Sequence, residues 1–116
     1  MAFTELEIAR LRRTVGAWVE QRRPLPHIRP ELDFGYRISG QSVEIFEIRP
    51  VWRGAPGEKM ELAVAKATYV KSKHLWKVYW QRADMKWHAY QPTPEAASIE
   101  DFLALVSKDE YACFFG

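Results

Sequence analysis

The sequence predicts an α+β fold in which a five-stranded antiparallel meander sheet carries an N-terminal and a C-terminal helix on one face. Near both ends of the chain, apolar residues recur at intervals of three and four, as in amphipathic helices. Between them, apolar and polar residues alternate in short segments separated by glycine, proline or polar turns. A length of 116 residues with 47% hydrophobic and 28% charged side chains fits one folded domain, which we expect to span residues 1–116.

The first helix is predicted over about residues 4–22. Thr4-Glu5-Leu6-Glu7 fits a capping box, in which the Thr4 hydroxyl and the Glu7 carboxylate satisfy free amides at a helix start. Prolines within residues 24–30 then end the helix and predict an extended connector. The predicted buried stripe consists of Ile8, Leu11, Val15, Trp18 and Val19.

A two-residue turn at Gly40-Gln41 joins the first two predicted strands and places Ile38 opposite Val43. Because the alternation breaks between Ile45 and Phe46, we expect a β-bulge there or burial of both faces. The same pairing procedure places Arg37 opposite Glu44 and Tyr36 opposite Ile45. The predicted strands cover about residues 31–39, 42–50, 59–71, 75–82 and 85–91.

Three alanines in the third strand, Ala63, Ala65 and Ala67, are poor strand formers. A loop at residues 71–74 places Ala65 opposite Trp80. Small side chains beside indoles keep the core volume near what close packing permits, so we expect the alanines on the helix-covered face.

The stretch WKVYWQRADMKWHAY, residues 76–90, forms the fourth and fifth predicted strands. A tip at Ala83-Asp84 pairs Trp80 with Trp87, whereas a three-residue loop would put His88 beside Trp80. The division of the hairpin into two faces therefore depends on this turn. With the first loop, the core face contains Trp76, Val78, Trp80, Trp87 and the three alanines.

The second helix is predicted over about residues 98–107, with Ser98 as its cap. The tail at residues 109–116 contains Tyr111, Phe114 and Phe115, and we expect so aromatic a segment to dock on the core. Ile99, Phe102, Leu103 and Val106 share the apolar face of this helix.

Lysines interleaved with tyrosines and a histidine on the reverse sheet face suit a surface on which bases stack and ammonium groups neutralise phosphates. We therefore expect a binding module for nucleic acid or another anionic ligand. The alternative is a solvated sheet face whose lysine stems cover tyrosine rings. A further alternative is a homodimer formed through this face. The ligand-binding candidates are Lys66, Lys77, Tyr79, Lys86, His88, Tyr90 and Arg49.

The candidate catalytic group is His88 with Arg82 and Asp84, which would act as acid or base on a small anionic ligand. Asp84 equally suits an aspartate that caps its own turn. The sequence has no glycine-rich phosphate loop, no nucleophile motif and no histidine or cysteine pair at metal-ligand spacing. We expect no metal and no cofactor, and a binding module rather than an enzyme.

Composition limits the binding partners and the cellular compartment that fit this chain. A net charge of +2 gives no overall field toward nucleic acid or membrane, so any charged surface must be local. The single cysteine, Cys113, excludes an intramolecular disulfide and suits a reducing compartment. No signal-peptide pattern or long apolar run is present, and we expect a cytoplasmic protein without membrane contact.

An ordered string of motifs over residues 24–116 resembles the bacterial domain-of-unknown-function family 3024. The resemblance implies a small bacterial cytoplasmic protein and carries no activity or catalytic residue. Phe115 departs from the Phe-Trp-Gly ending of the family. The motifs are Glu47-Ile48-Arg49-Pro50-Val51-Trp52, Val64-Ala65-Lys66 with Tyr69, Trp76-x-x-Tyr79-Trp80, Lys86-Trp87-His88-x-Tyr90 and Phe114-Phe115-Gly116.

Overall fold

A computed structural model describes residues 3–115. The strands form one antiparallel sheet in the order β1-β2-β3-β4-β5, with β6 paired to β4 beyond the end of β5. The predicted α+β meander with two terminal helices is confirmed, and β6 is an addition to it. The elements are α1 (Glu5–Arg22), β1 (Asp33–Ser39), β2 (Ser42–Pro50), β3 (Lys59–Val70), β4 (Leu75–Gln81), β5 (Trp87–Ala89), β6 (Glu95–Ala96) and α2 (Ile99–Lys108).

The capping box at the start of α1 is confirmed. The Glu7 amide donates to the Thr4 hydroxyl at 3.2 Å, and the Thr4 amide donates to the Glu7 carboxylate at 2.8 Å. Leu11, Val15 and Val19 are buried on the predicted stripe. These side chains attach the helix to the sheet, because they belong to the same core cluster as β2, β3 and β4.

The end of α1 is fixed to the start of β1 by a paired arginine and aspartate. Arg23 donates from Nε and from one terminal nitrogen to the two carboxylate oxygens of Asp33, both at 2.9 Å. Hydrogen bonding to Arg23 is the largest cause that lowers the pKa of Asp33. This fork-shaped contact spans the proline-rich connector and sets where the first strand begins.

The predicted pairing of β1, β2 and β3 is confirmed. Ile38 pairs with Val43, and the register between β2 and β3 shifts between Ile45 and Phe46, where a bulge was expected. The shift brings Val64 into the core cluster and pairs Ala63 with Phe46. The expectation that Ala63 lies on the helix-covered face was therefore wrong, because the bulge reverses the alternation of β3 at this point.

Between β3 and β4 the predicted register is also confirmed. Ala65 pairs with Trp80, Ala67 with Val78, and Tyr69 with Trp76. Ala65 and Ala67 are fully buried and Trp76 is nearly so. The alanines leave room for indoles beneath the helices, as the sequence indicated.

The register between β4 and β5 differs from the prediction. The loop contains three residues, since Gln81 pairs with Trp87 and the Arg82 amide donates to the carbonyl of Lys86 at 3.3 Å. Met85 closes this loop in the left-handed conformation, with φ at +65°. The predicted pairing of Trp80 with Trp87 was wrong, and Trp80 pairs with His88 instead.

This shift by one residue exchanges the faces of β5. Trp87 moves to the side of Gln81, away from the helices, whereas His88 takes the side of Trp80. Tyr90, which was expected on the exposed face, is 2% exposed and packs against Phe114 with ring centroids 4.8 Å apart.

The second helix and the tail close the core. Ser98 caps α2 by accepting from the Asp101 amide at 3.1 Å, and the Trp18 indole donates to the Ser107 hydroxyl at 2.8 Å. The Asp109 carboxylate accepts from the backbone amides of Phe114 and Phe115. The expected docking of the tail is confirmed for these residues, and Gly116 lies outside the described part of the chain.

Replacement of Met85 by glycine should stabilise the protein by about 1 kcal/mol, because glycine adopts the left-handed conformation without a Cβ penalty. The Met85 side chain is 68% exposed, so little packing is lost. Chemical denaturation measures the effect. Met85→Ala keeps the strained conformation and serves as the control; equal stability of the two variants would contradict the three-residue loop.

The burial of Tyr90 predicts that Tyr90→Ala lowers the free energy of unfolding by about 3–5 kcal/mol, as for other large aromatic side chains in cores. Tyr79→Ala, on the opposite face, should cost about 1 kcal/mol or less. Urea unfolding of both variants compares them directly. The register that pairs Trp80 with Trp87 would place both tyrosines on the exposed face, and the two substitutions would then have similar, small costs.

Asp33→Asn should destabilise the protein most at neutral pH. The pKa of Asp33 is depressed in the folded state, so its stabilisation is present above the unfolded value of about 4 and is lost as the pH falls through the folded pKa. The thermal unfolding temperatures of the wild type and the variant should therefore become equal at acidic pH. Glu31→Gln changes an exposed carboxylate in the same connector and should unfold like the wild type at pH 7.

Candidate functional site

The sheet face opposite to the helices carries a row of charged and aromatic side chains, here called the outer face. Strand pairing aligns Glu44 of β2 with Lys66 of β3, and Lys66 with Tyr79 of β4. Their neighbours along each strand point the other way into the core. The outer face consists of Arg37, Glu44, Phe46, Glu61, Ala63, Lys66, Lys77, Tyr79, Gln81 and Trp87.

Lys66 lies between two aromatic rings at the centre of this face. Its ammonium nitrogen is 5.9 Å from the ring centroid of Tyr79 and 5.6 Å from that of Trp87. A cation within about 6 Å of a ring centroid interacts favourably with the ring. Both rings are half-buried, so each is held in place and still meets solvent. Within residues 3–115, Lys66 takes part in no salt bridge.

Arg37 holds the two acidic side chains of the outer face. Its guanidinium donates to both oxygens of Glu61 at 2.8 and 2.9 Å and lies 3.7 Å from Glu44. Hydrogen bonding to Glu61 is the largest cause that raises the pKa of Arg37. The same guanidinium lies 4.9 Å from the ring centroid of Phe46. Arg37 thus offsets part of the negative charge of these two carboxylates. Lys66 forms no salt bridge within residues 3–115 and remains available to an external anion.

A shallow cavity of about 220 Å³ lies beside this cluster. Phe46 and Trp87 form its aromatic walls, and Ala63 provides the space between them. The β-bulge produces this space, since it turns Ala63 outward. Glu44, Ile45, Glu61 and Gln81 complete the lining.

The structure brings together only part of the predicted binding set. Lys66, Lys77 and Tyr79 lie on the outer face, as expected. His88 and Lys86 stand two residues apart on the same side of the hairpin. The three-residue loop turns this side away from the outer face. The remaining two are Tyr90, which is buried in the core, and Arg49, which donates to Glu47 at 2.8 Å near the far end of β2.

The predicted acid-base group does assemble at the tip of the β4–β5 hairpin. His88 Nε2 lies 2.8 Å from Asp84 Oδ2, and the Lys86 amide donates to Asp84 Oδ1 at 2.9 Å. The backbone bond is the largest cause that lowers the pKa of Asp84, followed by His88. Arg82 lies over Trp80, 5.6 Å from the ring centroid.

Asp84 thus caps its own turn while it contacts His88, so both interpretations of this residue have a structural basis. Asp84 is exposed and His88 is half-buried, and none of the cavities described in residues 3–115 is lined by Arg82, Asp84 or His88. Acid-base catalysis needs a substrate held within reach of the histidine. The hairpin tip supplies a histidine in a hydrogen-bonded pair, outside the lining of these cavities.

The described residues contain neither a group of metal-ligating side chains nor a helix suited to crossing a membrane. In the range 3–115, no three histidine, cysteine or acidic side chains are grouped so that they could hold a metal ion. Neither helix in this range has the length and apolar character needed to cross a membrane.

Sequence reasoning missed Trp87 and Phe46 as members of the outer face. Trp87 was assigned to the core because a tip at Ala83-Asp84 pairs it with Trp80. The left-handed position of the observed three-residue loop holds Met85 and not the usual glycine, so the sequence carries no local mark of this loop. Phe46 was recognised only as the site of a bulge. A three-residue loop places Trp87 on this face, and the position of Phe46 two residues after Glu44 on β2 places it there as well.

The fold and this face together define a small α+β protein with an open antiparallel sheet whose uncovered side is charged and aromatic. The chain belongs to the family described as "Domain of unknown function (DUF3024)", whose model matches residues 3–116. The match also covers α1, which the resemblance at residues 24–116 left out. Comparison with curated proteins and with solved structures gave no significant match.

Proposed function

We propose that this protein is a non-enzymatic binding module of the bacterial cytoplasm that contacts single-stranded nucleic acid through its outer face. The observation that carries the proposal is the position of the Lys66 ammonium between the rings of Tyr79 and Trp87. Single-strand binding surfaces combine aromatic rings, on which bases stack, with cations that neutralise the backbone. This arrangement has both components within one short cluster.

The surrounding contacts support the same partner. Glu44 and Glu61 would repel phosphates, but Arg37 contacts both carboxylates. Lys77 adds an exposed ammonium on the neighbouring strand. The face is a shallow, open surface rather than a deep pocket, which suits an extended strand better than a compact substrate.

The test is a titration of the protein with labelled oligothymidylate and oligouridylate at several salt concentrations. Trp87→Ala should weaken binding by about tenfold or more, since stacking on one aromatic ring contributes about 1–3 kcal/mol per base. Lys66→Gln should weaken binding. It should also reduce the magnitude of the slope of log affinity against log salt concentration by about 1, because one phosphate contact is lost.

Matched controls are Trp52→Ala, which removes an exposed indole elsewhere, and Lys108→Gln on α2. Both should bind like the wild type. The proposal fails if neither oligonucleotide binds at low salt, or if the controls weaken binding as much as Trp87→Ala and Lys66→Gln do. It also fails if light scattering shows a homodimer that Trp87→Ala dissociates, because the outer face would then bind a second copy.

A further inference from the structure

A second cavity lies on the helix-covered side of the sheet, between the first turns of the two helices. It has a volume of about 220 Å³ and is independent of the outer face. Drug-sized ligands occupy pockets of about 300–1,000 Å³, so this cavity suits a smaller molecule. Its lining comes from the residue Phe3 before α1, from α1, from the adjoining ends of β3 and β4 and from the start of α2, and it includes Arg10, Leu11, Tyr69, Trp76 and Glu100.

Three aromatic rings form one wall of this cavity. The ring centroids of Phe3 and Trp76 are 5.7 Å apart, those of Tyr69 and Trp76 are 5.1 Å apart, and the ring planes are tilted by 33° and 53°. Leu11 and Ile99 lie on the helical sides of the same cavity. A flat apolar group, above all an aromatic ring, would find edge and face contacts here.

Two opposite charges stand at the rim on different helices. Arg10 belongs to α1 and Glu100 to the first turn of α2, and both are exposed. In the described range neither takes part in a salt bridge. The third charged residue, Glu7, already accepts from the Thr4 amide at 2.8 Å as part of the α1 cap.

We propose that this cavity binds an aromatic α-amino acid, with its ring against Phe3, Tyr69 and Trp76. The ligand carboxylate pairs with Arg10, and its ammonium group pairs with Glu100. A zwitterion meets both charges at once, whereas a simple anion or cation leaves one of them uncompensated. The ring and the two ionic groups of such a ligand match the three parts of the cavity, and its small size matches the volume.

The experiment is calorimetry with L-phenylalanine, N-acetyl-L-phenylalanine and L-phenylalanine amide. The wild type should bind phenylalanine about five- to tenfold more tightly than either derivative, because each derivative lacks one ionic group. L-leucine, which keeps both charges but lacks the ring, should also bind more weakly. In heteronuclear NMR spectra, the largest shifts should fall at Trp76 and Ile99 rather than at Trp87.

Two substitutions test which ionic group of the ligand each rim charge binds. Arg10→Gln should abolish the preference for phenylalanine over its amide and keep the preference over the N-acetyl derivative. Glu100→Gln should do the opposite. Arg12→Gln, at an exposed arginine of the same helix, is the matched control and should leave all affinities unchanged.

The inference is overturned if phenylalanine does not bind at millimolar concentration, or if the derivatives bind the wild type as tightly as phenylalanine does. It is also overturned if Arg10→Gln and Arg12→Gln have the same effect. Lys66→Gln should leave phenylalanine binding intact, so this result and the nucleic-acid titration can fail separately.

Discussion

The left-handed backbone of Met85 closes the β4–β5 loop after three residues, and the arrangement of both sheet faces depends on that loop. A loop longer by one residue would turn every side chain of β5 to the other face. Tyr90 would then leave the contact with Phe114 that joins the sheet to the tail, and Trp87 would compete with Trp80 for space under the helices. The observed register fills the core and leaves one indole outside it.

The β-bulge between β2 and β3 also changes which side chains of the sheet face outward. It places Val64 in the core and turns Ala63 outward beside Phe46. Gly35 allows the Phe46 ring to lie against β1, since a Cβ at this position would stand 2.8 Å from a ring carbon. The loop thus brings Trp87, and the bulge brings Ala63, to the face on which the regular alternation of β2 already places Phe46.

Most of the fold was predictable because it depends on short-range patterns. The α1 cap, the stripe of Leu11, Val15 and Val19, and the register set by the Gly40-Gln41 turn are all encoded within a few residues. The site was less predictable, because loop length in residues 82–86 has no local marker when methionine occupies the left-handed position. The cavity beside Arg10 was missed for another reason: its lining comes from segments nearly a hundred residues apart.

The low net charge of the chain does not argue against a charged binding surface. Arg37 offsets part of the charge of Glu44 and Glu61 at close range, whereas the Lys66 ammonium lies beside two aromatic rings and takes part in no salt bridge within residues 3–115. Interactions between exposed charges beyond about 8–10 Å are largely screened in physiological salt. An approaching phosphate therefore responds to Lys66 and Lys77 more than to the total charge of +2, and the pairing of charges on this face matters more than their number.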